Sequence, residues 1–298
     1  MATLYTHQSK NIARTWLLVG VFLVLVLGIG YFLASYYQNP GILTFTLIFS
    51  IVMNMASFWY SDKIALSVSG AKPADENQFR ELHRLVENLS ITAGLPKPRI
   101  YIITDPAPNA FATGRNKNHA AVAVTTGLLE RLDRSELEGV LAHELAHIGN
   151  RDILLQSAVV VLVGFISLAA DFFLRSMWWG SGQRDDNNRG GGILAIIGII
   201  FIILSPIIAQ LIQLAISRRR EFLADATGAL ITRYPEGLAR ALEKISSYNA
   251  PLRHAHNATA HLFIANPFGG KALQGLHRLF MTHPPVETRI AALRDMAL

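Results

Sequence analysis

The chain has 298 residues, 51% hydrophobic and only 16% charged, with no cysteine and a formal net charge of +6. So apolar a composition excludes an ordinary water-soluble globule and points to a membrane protein carrying a soluble part. The missing cysteines exclude a disulfide framework and any thiolate metal site, leaving imidazole and carboxylate as metal donors. The basic residues form no stripe with interleaved aromatics, so no nucleic-acid partner is expected.

Lys10 and Arg14 precede "WLLVGVFLVLVLGIGYFL", an uncharged run that predicts a span over 16–36. A signal peptide shares this layout, but the run is longer than a signal core and no small-x-small cleavage site follows, so a retained anchor is expected. The turn "SYYQNPG" leads to a second span, 42–60. Two later apolar runs, 153–174 and 193–216, predict a second hairpin, each long enough to cross a core about 30 Å thick. Gln156, Asp171, Pro206, Gln210 and Gln213 leave a second reading for that pair, a buried or partly inserted hairpin. The chain thus divides into a tail and hairpin (1–60), a soluble block (61–152), a second hairpin (153–216) and a second soluble block (217–298).

If both hairpins cross and return, all but three of the 27 lysines and arginines fall on one side. The close flanks Lys10, Arg14, Lys63, Arg151 and Arg218–Arg220 agree, which predicts that both soluble blocks face the cytoplasm. Trp178 and Trp179, beside a glycine-rich loop, read as interfacial anchors.

The first block opens with an amphipathic helix near Glu76–Thr92, apolar at Phe79, Leu82, Leu85, Val86 and Leu89 and ended by Gly94 and Pro96. "RIYIIT" and "AAVAVTTGLL" read as strands, and "DRSELEGVLAHELAHIGNRD" as a helix capped by Asp133 or Ser135. The second block predicts helices at Arg220–Thr232, Pro235–Tyr248 and Pro284–Met296 around an Asn/His-rich loop. No internal repeat is visible. The fold class is an α+β membrane protein, mainly helical with a small sheet, plus two transmembrane helical hairpins.

On a helix, residues i and i+4 share a face, so His143 and His147 can hold one ion while Glu144 sits to the side. HExxH is the pattern of two zinc ligands and a carboxylate that takes a proton from water. The alternative, two surface histidines on an ordinary helix, is opposed by the cap and by the buried face Leu141, Leu145 and Ile148. No further histidine follows closely, so the third ligand is sought in "SRRREFLADATGA". There Glu221 is assigned as ligand and Asp225 as acceptor for a histidine N–H, the alternative being salt bridges to Arg218–Arg220. His119, His254, His256 and His261 read as surface or loop residues. Ile153 lies six residues past His147, about 9 Å on one continuous helix, which predicts a metal close above the membrane surface.

"NAFATGR", "HELAHIGNRD", "RRREFLADATGA" and "THPPVETRI", in this order, resemble HtpX-type membrane zinc metalloproteases, relatives of the CAAX prenyl proteases. The resemblance covers most of the chain. It implies a gluzincin-like fold and one catalytic Zn2+ held by His143, His147 and Glu221, with Glu144 as base and Asp225 behind a ligand. It also implies that Asn109, His283 and Arg289 approach substrate or the developing oxyanion, although each has a plainer role open: turn, helix cap and ion pair. "HAAVAVTTGLL" would be the edge strand bordering the cleft, or else an ordinary core strand. Expected substrates are misfolded or damaged membrane proteins and unfolded polypeptides, cut at the cytoplasmic face of a bacterial or archaeal inner membrane by a multi-pass enzyme; the oligomeric state stays open. A prenyl-protein protease would need about seven spans, and an inactive scaffold would lack a ligand or the base; neither fits.

Overall fold

The computed structural model describes residues 4–163, 218–256, 258–269 and 284–296. The predicted second hairpin beyond residue 163, with Trp178, Trp179 and His283, lies outside the described residues.

Helices α1 (Leu4–Tyr36) and α2 (Pro40–Val68) pack side by side across a tight turn. Gln38 takes a left-handed φ of 51°, the Asn39 side chain accepts the Gly41 N–H, and Pro40 opens α2 where its missing N–H costs nothing. At Gly30 a Cβ would stand 2.1 Å from Thr46 Oγ1, so the absence of a side chain is what lets the helices approach. The segment Thr15–Tyr36 is 22 residues of apolar helix, long enough to cross a membrane. Helix α2 is a second candidate if its arms count together: it bends by 69° between Pro40–Ala56 and Phe58–Val68.

The far arm of α2 runs into a four-stranded sheet formed by β1 (Lys72–Pro73), β2 (Arg99–Ile103), β3 (Ala110–Gly114) and β4 (Ala120–Thr125). The spatial order is β1-β2-β4-β3, with β2 and β4 parallel and both outer pairs antiparallel. One face, with Ile100, Ile102, Val122 and Val124, packs on α3 (Arg80–Ala93) and α5 (Arg134–Gly149). The other, with Ile103, Phe111, Ala121 and Ala123, packs on Ala65 and Leu66 of α2 and on Leu262 and Phe263. Covered on both faces and paired on both sides, β4 is buried at all six residues. The expectation that β4 is the edge strand is therefore corrected: it is an inner strand, and the edge is β3, within "NAFATG".

Helix α3 ends at Gly94 with φ 65°, as glycine at that position permits. After the short α4 (Thr126–Arg131), Asp133 caps α5: its side chain accepts the Glu136 N–H while the Glu136 carboxylate accepts the Asp133 N–H, both at 2.9 Å. Lys244, on the helix Pro235–Ser246, donates to the same Glu136 at 2.6 Å.

The expectation of one continuous helix from His147 into the apolar run is also corrected. Helix α5 stops at Gly149, Arg151 takes a left-handed φ of 59°, and a new helix α6 (Asp152–Val163) begins. Residues 157–163 of α6 are buried by protein, and Ser157 accepts the Gly114 N–H at 3.2 Å and shares a hydrogen bond with Thr113. The remaining described helices are α7 (Arg218–Thr232), α8 (Pro235–Ser246) and α9 (Val286–Arg294).

Candidate metal centre

The site forms where α5 crosses α7. The crossing is close because residue 228 is glycine: a Cβ there would meet the His143 backbone nitrogen at 3.0 Å. His143 and His147, one turn apart on α5, bring their Nε2 atoms to 3.2 Å. Glu221, in the first turn of α7, places its oxygens 3.8 Å from His143 Nε2 and 3.6 Å from His147 Nε2. One donor atom from each residue lies within 4.8 Å of the others, and all three side chains are buried.

The second imidazole nitrogens show why a cation would fit here. His147 Nδ1 donates to Asp152 Oδ2 at 3.0 Å. His143 Nδ1 lies 2.9 Å from Asp225 Oδ1, off the line of a straight hydrogen bond. With the Nδ1 protons turned to carboxylates, both Nε2 atoms present lone pairs to each other and to the Glu221 carboxylate. Acceptors converging in a buried space require positive charge between them. The donor set suits zinc: two imidazoles, one carboxylate, no thiolate.

Electrostatics point the same way. Burial opposes charge on His147, but the Asp152 hydrogen bond and the Glu221 and Asp152 charges outweigh it and raise its pKa to about 9. For His143 burial wins, and the pKa falls despite Asp225. Glu144 is buried beside the cluster, and burial, helped by the Glu221 charge, pushes its carboxyl up to about 7. His147 and the Ala112 N–H, which donates to Glu144, restrain that rise. A carboxyl balanced near neutrality can both take and return a proton.

Behind the ligands, Arg289 of α9 is fully buried and grips Asp225 with two bonds, Nε–Oδ2 at 2.8 Å and Nη2–Oδ1 at 2.7 Å. Its Nη1 lies 3.7 Å from Glu221 Oε2 and donates to the Ile264 carbonyl at 3.5 Å. Through Arg289, α9 fixes Asp225, which faces His143. Asn109 is also buried: Nδ2 donates to the Ala265 carbonyl at 3.0 Å, and Oδ1 accepts the Ala110 and Ala265 N–H groups. Asn109 therefore clamps β3 to the segment that follows the short 3-10 turn Ala260–Leu262. His261, expected as a surface or loop residue, is buried in the short 3-10 turn, with Nε2 3.0 Å from the Gln156 carbonyl.

Asp152 escaped the sequence reading although it closes the same motif. On a continuous helix, position i+5 points away from His147; the break at Arg151 turns it back. Asp152→Ala is expected to weaken metal binding about 10–100-fold, read by competition with a chelator. Unchanged affinity would show that the Asp152 contact plays no part in metal retention.

Two helices delivering His, His and Glu, with a further glutamate between them and a strand edge, define a metallopeptidase. The chain belongs to peptidase family M48, whose family model matches residues 76–297. Over nearly its whole length it is similar to curated proteins described as protease HtpX homologs. It is 49% identical to that of Caldanaerobacter subterraneus over 99% of both chains, and 50% identical to that of Thermoanaerobacter pseudethanolicus at the same coverage. Against the Pyrococcus furiosus homolog the identity is 49% over 96% of both. Among solved structures, S. mikatae Ste24p aligns over 98% of this chain and 67% of its own, with TM-score 0.49 and 18% identity. The chain is thus a metalloprotease of a membrane-associated family.

Proposed function

We propose that the chain is a zinc-dependent endopeptidase of the bacterial or archaeal cytoplasmic membrane, cutting misfolded or damaged membrane proteins at the cytoplasmic face. The observation that carries the reading is the buried convergence of His143, His147 and Glu221 with Glu144 beside it. Zinc held by His143, His147 and Glu221 would supply Lewis acidity there. Glu144 accepts the water proton and returns it to the leaving amine. Asp152 and Asp225 hold the imidazoles in the tautomer that offers Nε2, and Arg289 acts as a positioning residue for Asp225.

Substrate capture follows from β3. Alternate residues of this strand bond to β4, which turns the Ala112 main chain to the open side, where its N–H meets Glu144. Ala110 is already engaged by Asn109 and Ile264 and the Gly114 N–H by Ser157, so a peptide laid along this edge would bond to the main chain around Ala112, with little sequence preference, which suits damaged substrates. Asn109 keeps that edge in place. His283 retains its sequence-based assignment as a substrate or oxyanion contact. The four apolar runs of the sequence and the basic flanks support the multi-pass, cytoplasm-facing arrangement.

Metal dependence is the test. Protein purified in detergent is expected to carry about one zinc per chain, to lose casein cleavage and self-cleavage to a chelator, and to regain both when zinc is restored. Cleavage that persists in fully metal-free protein would overturn the reading.

A further inference from the structure

We propose that the cavity where the far arm of α2 meets the sheet binds the phosphate-bearing headgroup of an anionic membrane lipid. It has a volume of about 500 Å3 and lies between that arm, β2 and the turn from β3 to β4. The proposal rests on the membrane placement of α1 and α2, and on neither the metal nor the reaction.

Charge is the first argument. Three cationic side chains, Lys63, Arg99 and Arg115, line the cavity with one carboxylate, Asp62. Arg99 satisfies Asp62 through an ion pair. Among the described residues, Lys63 and Arg115 have aromatic faces as their partners: Lys63 Nζ lies 5.3 Å from the Tyr60 ring centre and Arg115 Cζ 4.5 Å from the Trp59 ring centre. Among the described residues neither has a carboxylate within ion-pair distance. Cations held on aromatic rings keep their N–H groups for another acceptor, and an anion entering here meets net positive charge.

Depth is the second. The first arm of α2, Pro40–Ala56, is apolar and about 25 Å long, a little short of a full crossing by itself. The 69° bend follows, and immediately after it Phe58, Trp59 and Tyr60 stand exposed. Exposed Trp and Tyr at the end of an apolar run mark the headgroup level of a bilayer. Lys63 follows one turn further, beside Arg115 and Asn118 of the β3–β4 turn. A site for a soluble phosphate compound gains nothing from an aromatic rim at this depth; a lipid gains contact for its glycerol and upper acyl chain.

The cavity also touches the catalytic apparatus. Arg115 follows β3 directly, three residues beyond Ala112, whose N–H meets Glu144. A headgroup held by Lys63 and Arg115 would therefore tie α2 to the strand edge that receives substrate.

The experiment uses the full chain carrying Glu144→Gln, so that self-cleavage and metal turnover do not enter. It is placed in nanodiscs of phosphatidylcholine with or without one-fifth phosphatidylglycerol, and retained lipid is counted by native mass spectrometry. Preferential retention of phosphatidylglycerol is expected. Lys63→Gln/Arg115→Gln should weaken it on the order of tenfold, while the charge-matched control Arg84→Gln/Lys97→Gln leaves it unchanged. Millimolar glycerol phosphate should not displace the lipid. Equal retention by the pocket variant and the control, or displacement by glycerol phosphate, would overturn the proposal. Failure of the membrane placement shows separately, as release of the chain by alkaline carbonate before any lipid is tested.

Discussion

Glu144→Gln is expected to lower peptide hydrolysis by about 10²–10⁴-fold while leaving the metal bound and the protein folded. Glutamine keeps the size of the side chain and an oxygen that accepts the Ala112 N–H, so the contact to β3 survives. Among the described residues at the cluster, Glu144 is the carboxylate neither offered to the metal nor facing an imidazole nitrogen from behind, and the substitution removes it. Stability should not fall, because burial already works against ionised Glu144, and the neutral amide does not meet that penalty. The comparison is casein cleavage rate per bound zinc, with melting temperature alongside. A variant retaining more than a tenth of the activity would require another base, and none of the other described residues at the cluster is placed for it. His143, His147 and Glu221 are the proposed ligands, and Asp152 and Asp225 face the histidines.

The contrast between what could and could not be read from the sequence follows sequence distance. His143, Glu144 and His147 share one helix, and helical periodicity alone puts the histidines on one face. Glu221 and Asp225 repeat that spacing, so their side-by-side arrangement was also legible. Their approach to α5 depends on Gly228, whose role appears only once the helices cross. The edge strand could not be identified locally. "HAAVAVTT" has the alternation of any strand, and which strand lies outermost depends on β3 pairing beside it and β2 pairing beyond. The strand β3 itself is alanine-rich and only five residues long, with no alternation to mark it as a strand. Asp152 was hidden by the opposite error, a helix extended too far, because a left-handed arginine leaves no signature in sequence. For Asn109 and Arg289 the sequence leaves open both a substrate contact and a plainer turn or ion pair, because the partners found here, Ala265 and Asp225, are remote in sequence.

Arg289→Met is expected to destabilise the protein by about 3–5 kcal/mol, because it strands the Asp225 carboxylate in a buried site. For a domain of this size that corresponds to a fall in melting temperature of roughly 10 °C. Arg289→Lys should recover only part of it, since an ammonium keeps the charge but loses the two-pronged grip on Asp225. The double variant Arg289→Met/Asp225→Leu removes both charges, so stability should return toward wild type. Metal affinity should not return with it. His143 then lacks the carboxylate facing Nδ1, and zinc binding is expected to stay about 10–100-fold weaker. This pattern separates two roles for the arginine. A residue that contacts substrate or an oxyanion would lower the cleavage rate of Arg289→Met at unchanged melting temperature, and removing Asp225 as well would repair nothing. A residue that holds Asp225 in place shows the opposite: stability lost with the single substitution, regained with the pair, and metal retention tied throughout to Asp225.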